Sequence, residues 1–213
     1  DFEHIVKMLE DASRVVPVYS KEATEAAAQM AADAEALKDI LIQTVANNHP
    51  NIPNEINDEQ FWACRRFLAH FLGDENKDGK VYTLNYDLLL YWTLMHEDMG
   101  FDDPISLDAN DGYGRDEDTE PEYENWMGES GAHGQRVHYL HGALHLFDAG
   151  AELQKYTWVN TGKPLLEQAR EAMGARKFPL FVAEGKSNQK LAKIKHSAYL
   201  HHSYKSFSSQ MGQ

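Results

Sequence analysis

Two short runs hold the residue types that chemistry needs. Val81-Tyr82-Thr83-Leu84-Asn85-Tyr86-Asp87 ends in an amide and a carboxylate, and Val137-His138-Tyr139-Leu140-His141-Gly142 ends in an imidazole beside a glycine. An Asn side chain donates and accepts at once, so Asn85 can position a water or a sugar hydroxyl. A neutral His titrates near neutrality, so His141 can act as general base on that water or hydroxyl. Gly142 has no side chain and would let a ligand approach the backbone. Together these groups suit attack at a sugar anomeric carbon with a good leaving group, through an oxocarbenium-like transition state. Structural readings stand beside the chemical ones. Asn85 and Asp87 precede Leu88-Leu89-Leu90 and read equally as helix caps, and His141 reads as a buried histidine bonded to backbone.

Such runs, β-branched and aromatic and then abruptly polar, are the pattern of parallel strands that deliver side chains to the carboxyl edge of a sheet. Strands are expected at 80–84 and 137–140, with a third core strand at 179–183. Glu184 and Ser187 follow that third strand, so they face the same edge and can contact a ribose; Ser187 reads equally as a cap of the last helices. A turn or further strand is expected at 144–147 and an extended piece at 153–159. Helical spacing runs from Phe2 to an end at Pro17, from 21 to 47 with Met30, Leu37, Ile40, Leu41 and Val45 as the buried stripe, and from an N-cap at Asp58 to Leu72. Further helices are expected at 87–99, at 164–173 and from Ser187 onward. Helices alternating with short apolar strands predict α/β architecture, a parallel sheet flanked by helices.

Thr83-Leu84-Asn85-Tyr86-Asp87 followed by Leu88-Leu89-Leu90, with Tyr139-Leu140-His141-Gly142 about fifty residues on, resembles the paired motifs of sirtuin-like domains, in the bacterial "TxNYD…LHG" form. The longer runs Tyr139-Leu140-His141-Gly142-Ala143-Leu144-His145-Leu146-Phe147 and Leu180-Phe181-Val182-Ala183-Glu184-Gly185 are similar to an uncharacterised bacterial family of that clan. The resemblance implies a Rossmann-like, sirtuin-type domain and NAD as substrate or ligand. It implies cleavage of the nicotinamide–ribose bond, an NAD hydrolase activity of the kind bacteria use in defence against phage. It implies His141 as base and Asn85 in the nicotinamide and ribose pocket, with Thr83, Asp87, Gly142, Glu184 and Ser187 on the cofactor side. The alternative is a non-catalytic module that binds NAD, ADP-ribose or partner proteins. A homo-oligomer or an activating protein partner is compatible with either. The glycine-rich phosphate loop and the late strand of sirtuin-like domains have no counterpart here. The expectation is therefore a single partial domain over 1–213 that alone binds NAD weakly and turns it over little.

Composition narrows the classes. At 213 residues and 42% apolar content the chain can fill one core. No run approaches the roughly eighteen apolar residues of a membrane span, and no leader precedes the first helix. Cys64 is the only cysteine; this rules out an intrachain disulfide and a four-cysteine zinc module, and fits a reducing cytoplasm. Its setting in Phe61-Trp62-Ala63-Cys64-Arg65-Arg66-Phe67 predicts a buried thiol on an apolar helix face. A net charge of −14 argues against nucleic acid as a partner. Eleven acids stand against one base, Arg115, between Asp102 and Glu129. The surrounding stretch, 100–136, lacks periodicity and reads as an acidic loop or lid. His138, His141 and His145 do not read as a metal set, because a strand sends His138 and His141 to opposite faces.

Overall fold

The computed structural model describes residues 2–74, 78–96, 105–116, 123–131, 134–149, 152–157, 163–175, 177–182 and 187–211. These divide into two compact units: Asp1–His49 with Ala183–Ala192, and Pro50–Val182 with Lys193–Gln213. The reading from sequence treats the chain as one domain.

The first unit is built on two helices, α1 (Phe2–Tyr19) and α2 (Thr24–Asn47), joined through a 3-10 turn at Lys21–Ala23. They pack through small side chains: Val6, Ala27 and Ala34 are buried, and alanines let two helices approach closely. Lys38 pairs with Glu10 across the hairpin and with Glu35 one turn away. Two expectations are corrected. Helix α1 continues past Pro17 to Tyr19, because in the last turn the missing N–H forfeits a single bond, and Ser20 N–H still reaches Val16 O at 3.0 Å. Ile40 is 54% exposed, since Ala27 and Ala34 set the packed stripe.

The second unit holds two sheets. Strand β1 (Val81–Thr83) pairs in parallel with β4 (Val137–Tyr139), in the register Val81↔Val137, Tyr82↔His138 and Thr83↔Tyr139. Helices α3 (Asp58–Leu72) and α4 (Leu89–Met95) flank β1 in sequence. The other sheet is antiparallel between its neighbours, in the order β2 (Tyr113–Gly114), β3 (Tyr123–Trp126), β6 (Leu153–Tyr156), β5 (Gly142–Asp148), β7 (Phe178–Phe181). Helix α5 (Gly128–Gly131) precedes β4, and α6 (Leu165–Gly174) carries the chain from β6 over to β7 on the far side of β5. Helices α7 (Ser187–His196) and α8 (Ala198–Met211) close the chain, α7 passing from the first unit to the second after Ala192.

The class is thus mixed α/β, and the single parallel sheet expected from sequence is corrected to a small parallel pair beside a larger antiparallel sheet. The segment 179–183 was expected to extend the parallel sheet; as β7 it runs antiparallel to β5. Chain length explains this. Two residues separate β4 from β5, whereas a parallel crossover needs a dozen or more, so β5 enters a different sheet and its neighbours follow. The acidic stretch also differs from the expected unstructured loop: β2, β3 and α5 lie within it, and both strands join the antiparallel sheet.

The core joins the two sheets and the helices around them. Leu68, Leu72, Val137, Tyr139, Leu146, Val182 and Leu200 are among its buried members. Helix α3 buries Phe61, Arg65, Leu68 and Leu72, spaced for one face. Cys64 lies outside that stripe and is exposed, which corrects the expected buried thiol. Asn57, not Asp58, is the N-cap, in a capping box with Gln60. Two buried guanidiniums satisfy helix ends: Arg65 donates to Thr93 O and Leu94 O at the end of α4 and also to Ile105 O beyond it, and Arg136 donates to Phe71 O and Leu72 O at the end of α3. No helix among the described residues is long and apolar enough to cross a membrane.

Candidate functional site

The parallel pair puts the two chemistry-bearing runs side by side. Thr83 faces Tyr139, and the ladder continues with Leu140 N–H donating to Thr83 O at 2.9 Å. Asn85 and His141 each lie two residues past the carboxyl end of their strand. Asn85 is exposed and His141 half-buried, so solvent reaches both. The Tyr86 ring lies 6.4 Å from the His141 ring at 23° between planes. Tyr86 is itself anchored, because its hydroxyl donates to Val182 O at 3.0 Å and its carbonyl accepts from Leu144 N–H at 2.8 Å. Val182 N–H in turn donates to His141 O at 2.8 Å. The imidazole therefore sits on a backbone fixed from both sides.

The remaining sequence-derived residues serve the fold more than the edge. Thr83 Oγ1 accepts from Asn85 N–H at 3.0 Å, and Asp87 Oδ1 accepts from Leu89 N–H at 2.9 Å, which is a side-chain turn at the start of α4. Gly142 is buried with φ +79°, and a Cβ there would stand 1.5 Å from Leu180 O. The close approach it permits is by its own chain. Ser187 is exposed and belongs to the first unit, at the start of α7. Glu184 lies outside the described residues.

The neighbouring histidines are structural. His138 is fully buried, stacked 4.8 Å from the Tyr82 ring, and burial with the charge of Lys80 depresses its pKa to about 3. Gln135 Nε2 can only donate, so His138 Nδ1, 3.1 Å away, must accept and Nε2 carries the hydrogen towards Ser206 Oγ at 3.5 Å. That tautomer leaves no base facing Ser206, although Lys80 Nζ and Tyr82 Oη also approach the hydroxyl at 3.1 and 2.9 Å. His145 is buried between the Tyr91 and Tyr139 rings, on strand β5 and not on a helix, and burial drives its pKa well below the usual histidine value.

A second constellation escaped the sequence reading. In the antiparallel sheet Glu124 pairs with Lys155 and Gly114 with Asn125, so one further step sets Arg115 opposite Glu124. Glu124 and Lys155 thus stand side by side on β3 and β6, and Arg115, just past β2, donates to Thr157 Oγ1 at 3.1 Å. Lys155 Nζ donates to Asp111 Oδ1 and Oδ2 at 3.0 and 2.8 Å and pairs with Glu124 Oε2 at 2.8 Å. Burial alone would lower the Lys155 pKa, but the two carboxylates outweigh it and hold it above the usual lysine value. These residues line a cavity of about 730 Å³ with Tyr91 and Tyr113 among its walls. The signal in sequence was the lysine in the otherwise strand-like Leu153-Gln154-Lys155-Tyr156-Thr157; its partners lie 31 and 44 residues away within the acidic run.

The chain belongs to the family described as Domain of unknown function (DUF4917), whose model matches residues 1–212. No curated protein and no solved structure matches it.

Proposed function

We propose that this DUF4917 member is a sirtuin-like NAD hydrolase that cleaves the bond between nicotinamide and ribose, with His141 as general base and Asn85 positioning the attacked ribose or water. The observation that carries the reading is the parallel pairing of β1 with β4, since the accessible Asn85 and the accessible His141 each follow the carboxyl end of one of these two strands. The resemblance of Thr83–Asp87 and Tyr139–Gly142 to the sirtuin-like motifs supports the same pair. Nicotinamide leaves as a neutral pyridine, so no general acid is required. His141 takes a proton from the attacking water, and the Asn85 amide orients that water or a ribose hydroxyl. Tyr86 holds the imidazole in place by its ring and its bond to Val182 O.

The test is nicotinamide release from NAD by the full gene product, wild type beside His141→Ala. Loss of a general base lowers the rate by about 10²–10⁴-fold. No release from wild type, or an unchanged rate in the variant, refutes the assignment. A second reading, a non-catalytic NAD or ADP-ribose binding module, is favoured by the turn made by Asp87 and the packing of Gly142 against Leu180, which commit two residues of the edge to the fold. Thermal stabilisation by NAD without nicotinamide release supports that reading.

A further inference from the structure

Ser206 on α8 is where three side chains of the parallel pair converge, all within the second unit. Lys80 Nζ, just before β1, approaches its Oγ at 3.1 Å, Tyr82 Oη at 2.9 Å and His138 Nε2 at 3.5 Å. Lys80, Tyr82 and Ser206 are half-buried, so solvent reaches them, whereas His138 is fully buried.

One amide sets the direction of these bonds. Gln135 Nε2 donates to Val137 O at 2.9 Å, and a carbonyl can only accept, so the amide orientation is determined. Hence His138 Nδ1 accepts and Nε2 turns its hydrogen towards Ser206 Oγ. Lys80 Nζ can only donate, so it also directs a hydrogen at Oγ. Those two donors occupy both lone pairs of Oγ, and the hydroxyl hydrogen goes to Tyr82 Oη. The Tyr82 O–H is left pointing away from the cluster as a donor. Burial raises its pKa, so the phenol keeps that hydrogen. The ring is fixed by its stack on His138 at 4.8 Å and the edge of Phe207 at 5.2 Å.

The charge is as one-sided as the hydrogen bonds. Lys38 and Lys155 each hold two carboxylates, but among the described residues no carboxylate pairs with Lys80, which keeps two N–H donors open. After burial, the Lys80 charge is the largest influence depressing the His138 pKa. At His202 burial lowers the pKa first, Glu129 opposes it, and Lys80 and Lys205 add to it. Two cations thus act here against one acid, in a chain whose net charge is −14.

From this surplus of donors and positive charge we propose that Lys80 and Tyr82, oriented by Ser206, bind a phosphate group, either the free ion or the phosphoryl end of a small monoester. Two N–H groups of Lys80 and the O–H of Tyr82 meet the phosphate oxygens. A tetrahedral anion carrying nearly two charges gives each donor its own acceptor, whereas a carboxylate offers two oxygens and a single charge. This site lies before and within β1, involves neither Asn85 nor His141, and stands whether or not NAD is cleaved.

The experiment is thermal unfolding of the full chain titrated with inorganic phosphate, methyl phosphate and acetate at constant ionic strength. Phosphate also stabilises proteins by exclusion, but without saturating, so a saturable rise in Tm is the readout. At a thirtyfold excess over Kd the expected rise is about 4–8 °C, and acetate is expected to bind at least about tenfold more weakly. Lys80→Gln is expected to weaken phosphate at least about tenfold, and Lys80→Arg, which keeps the charge, to recover most of that loss. Tyr82→Phe keeps the ring stack and loses one donor, for a weakening of about two- to tenfold. If Ser206 acts through the phenol, the Ser206→Ala and Tyr82→Phe losses are less than additive; additive losses overturn its orienting role. Tighter binding of inorganic phosphate than of methyl phosphate assigns the site to the free ion, and the reverse order assigns it to a monoester. The proposal is overturned if neither phosphate gives a saturable shift, if acetate binds as tightly, or if Lys80→Gln binds phosphate as wild type does. The anion series on the wild-type chain decides the matter even where a variant fails to fold.

Discussion

Replacing Lys155 by Met tests the charge cluster most directly. The ammonium is buried, donates to both oxygens of Asp111, and pairs with Glu124, whose side chain is one quarter exposed. Bonds to charged groups contribute about 1.5–3 kcal/mol each before desolvation is set against them. Methionine fills most of the lysine volume, so little of the loss comes from a cavity. The dominant cost is that two carboxylates are left facing each other with no cation between them. Removing one partner of a buried pair costs about 3–5 kcal/mol, which for a unit of this size lowers Tm by roughly 6–20 °C. Trp62, Trp92 and Trp126 belong to the second unit and the two segments of the first unit contain no tryptophan, so urea unfolding followed by tryptophan fluorescence reports on the second unit. Adding Asp111→Asn, which keeps an acceptor for Tyr113 N–H, is expected to recover at least half of the loss. A single-variant loss below about 1 kcal/mol, or a double variant less stable than the single, refutes the argument that the lysine neutralises this acidic pocket. The pKa of Lys155 is raised above its unfolded value, so its contribution is complete below about pH 10 and is lost only as pH rises further.

Gly142→Ala forces a Cβ to within 1.5 Å of Leu180 O at a positive φ, which displaces β5 from β7; a loss of more than about 4 kcal/mol is expected in the same urea assay, and a mild effect contradicts the described turn. The buried His138, with its pKa depressed to about 3, stays neutral in the fold while the unfolded chain takes up a proton near pH 6.5. Stability is therefore complete above pH 6.5 and falls as pH drops towards 3, by up to about 1.4 kcal/mol per pH unit for this group. His138→Gln is expected to flatten that slope in urea titrations between pH 6.5 and 4.5, and an unchanged slope refutes the assignment. Cys64, on the outer face of α3, is expected to react with a thiol reagent in the native protein about as fast as in urea; strong protection contradicts the exposed placement.

Local patterns gave the elements, because a short stretch is enough to express them. The β-branched and aromatic runs at 80–84 and 137–140 mark β1 and β4, and their polar ends place Asn85 and His141 just past the carboxyl ends of the paired strands. The capping box at Asn57 and Gln60 is likewise written in adjacent residues, even though the sequence reading placed the cap one position late. The tertiary structure alone decided what those elements pack against. Whether β5, β6 and β7 extend the parallel pair or form a separate antiparallel sheet depends on a two-residue link at Leu140 and His141 and on the positive φ of Gly142. Arg65 sits in the buried stripe of α3 because the carboxyl end of α4 meets it from 28 residues away. The acids of 100–136 read as a loop or lid from sequence, yet Asp111 and Glu124 turn inward to a buried lysine on another strand. Periodicity reports how each segment folds on itself; pairing between distant charges follows from where the sheet brings them, which no local window contains.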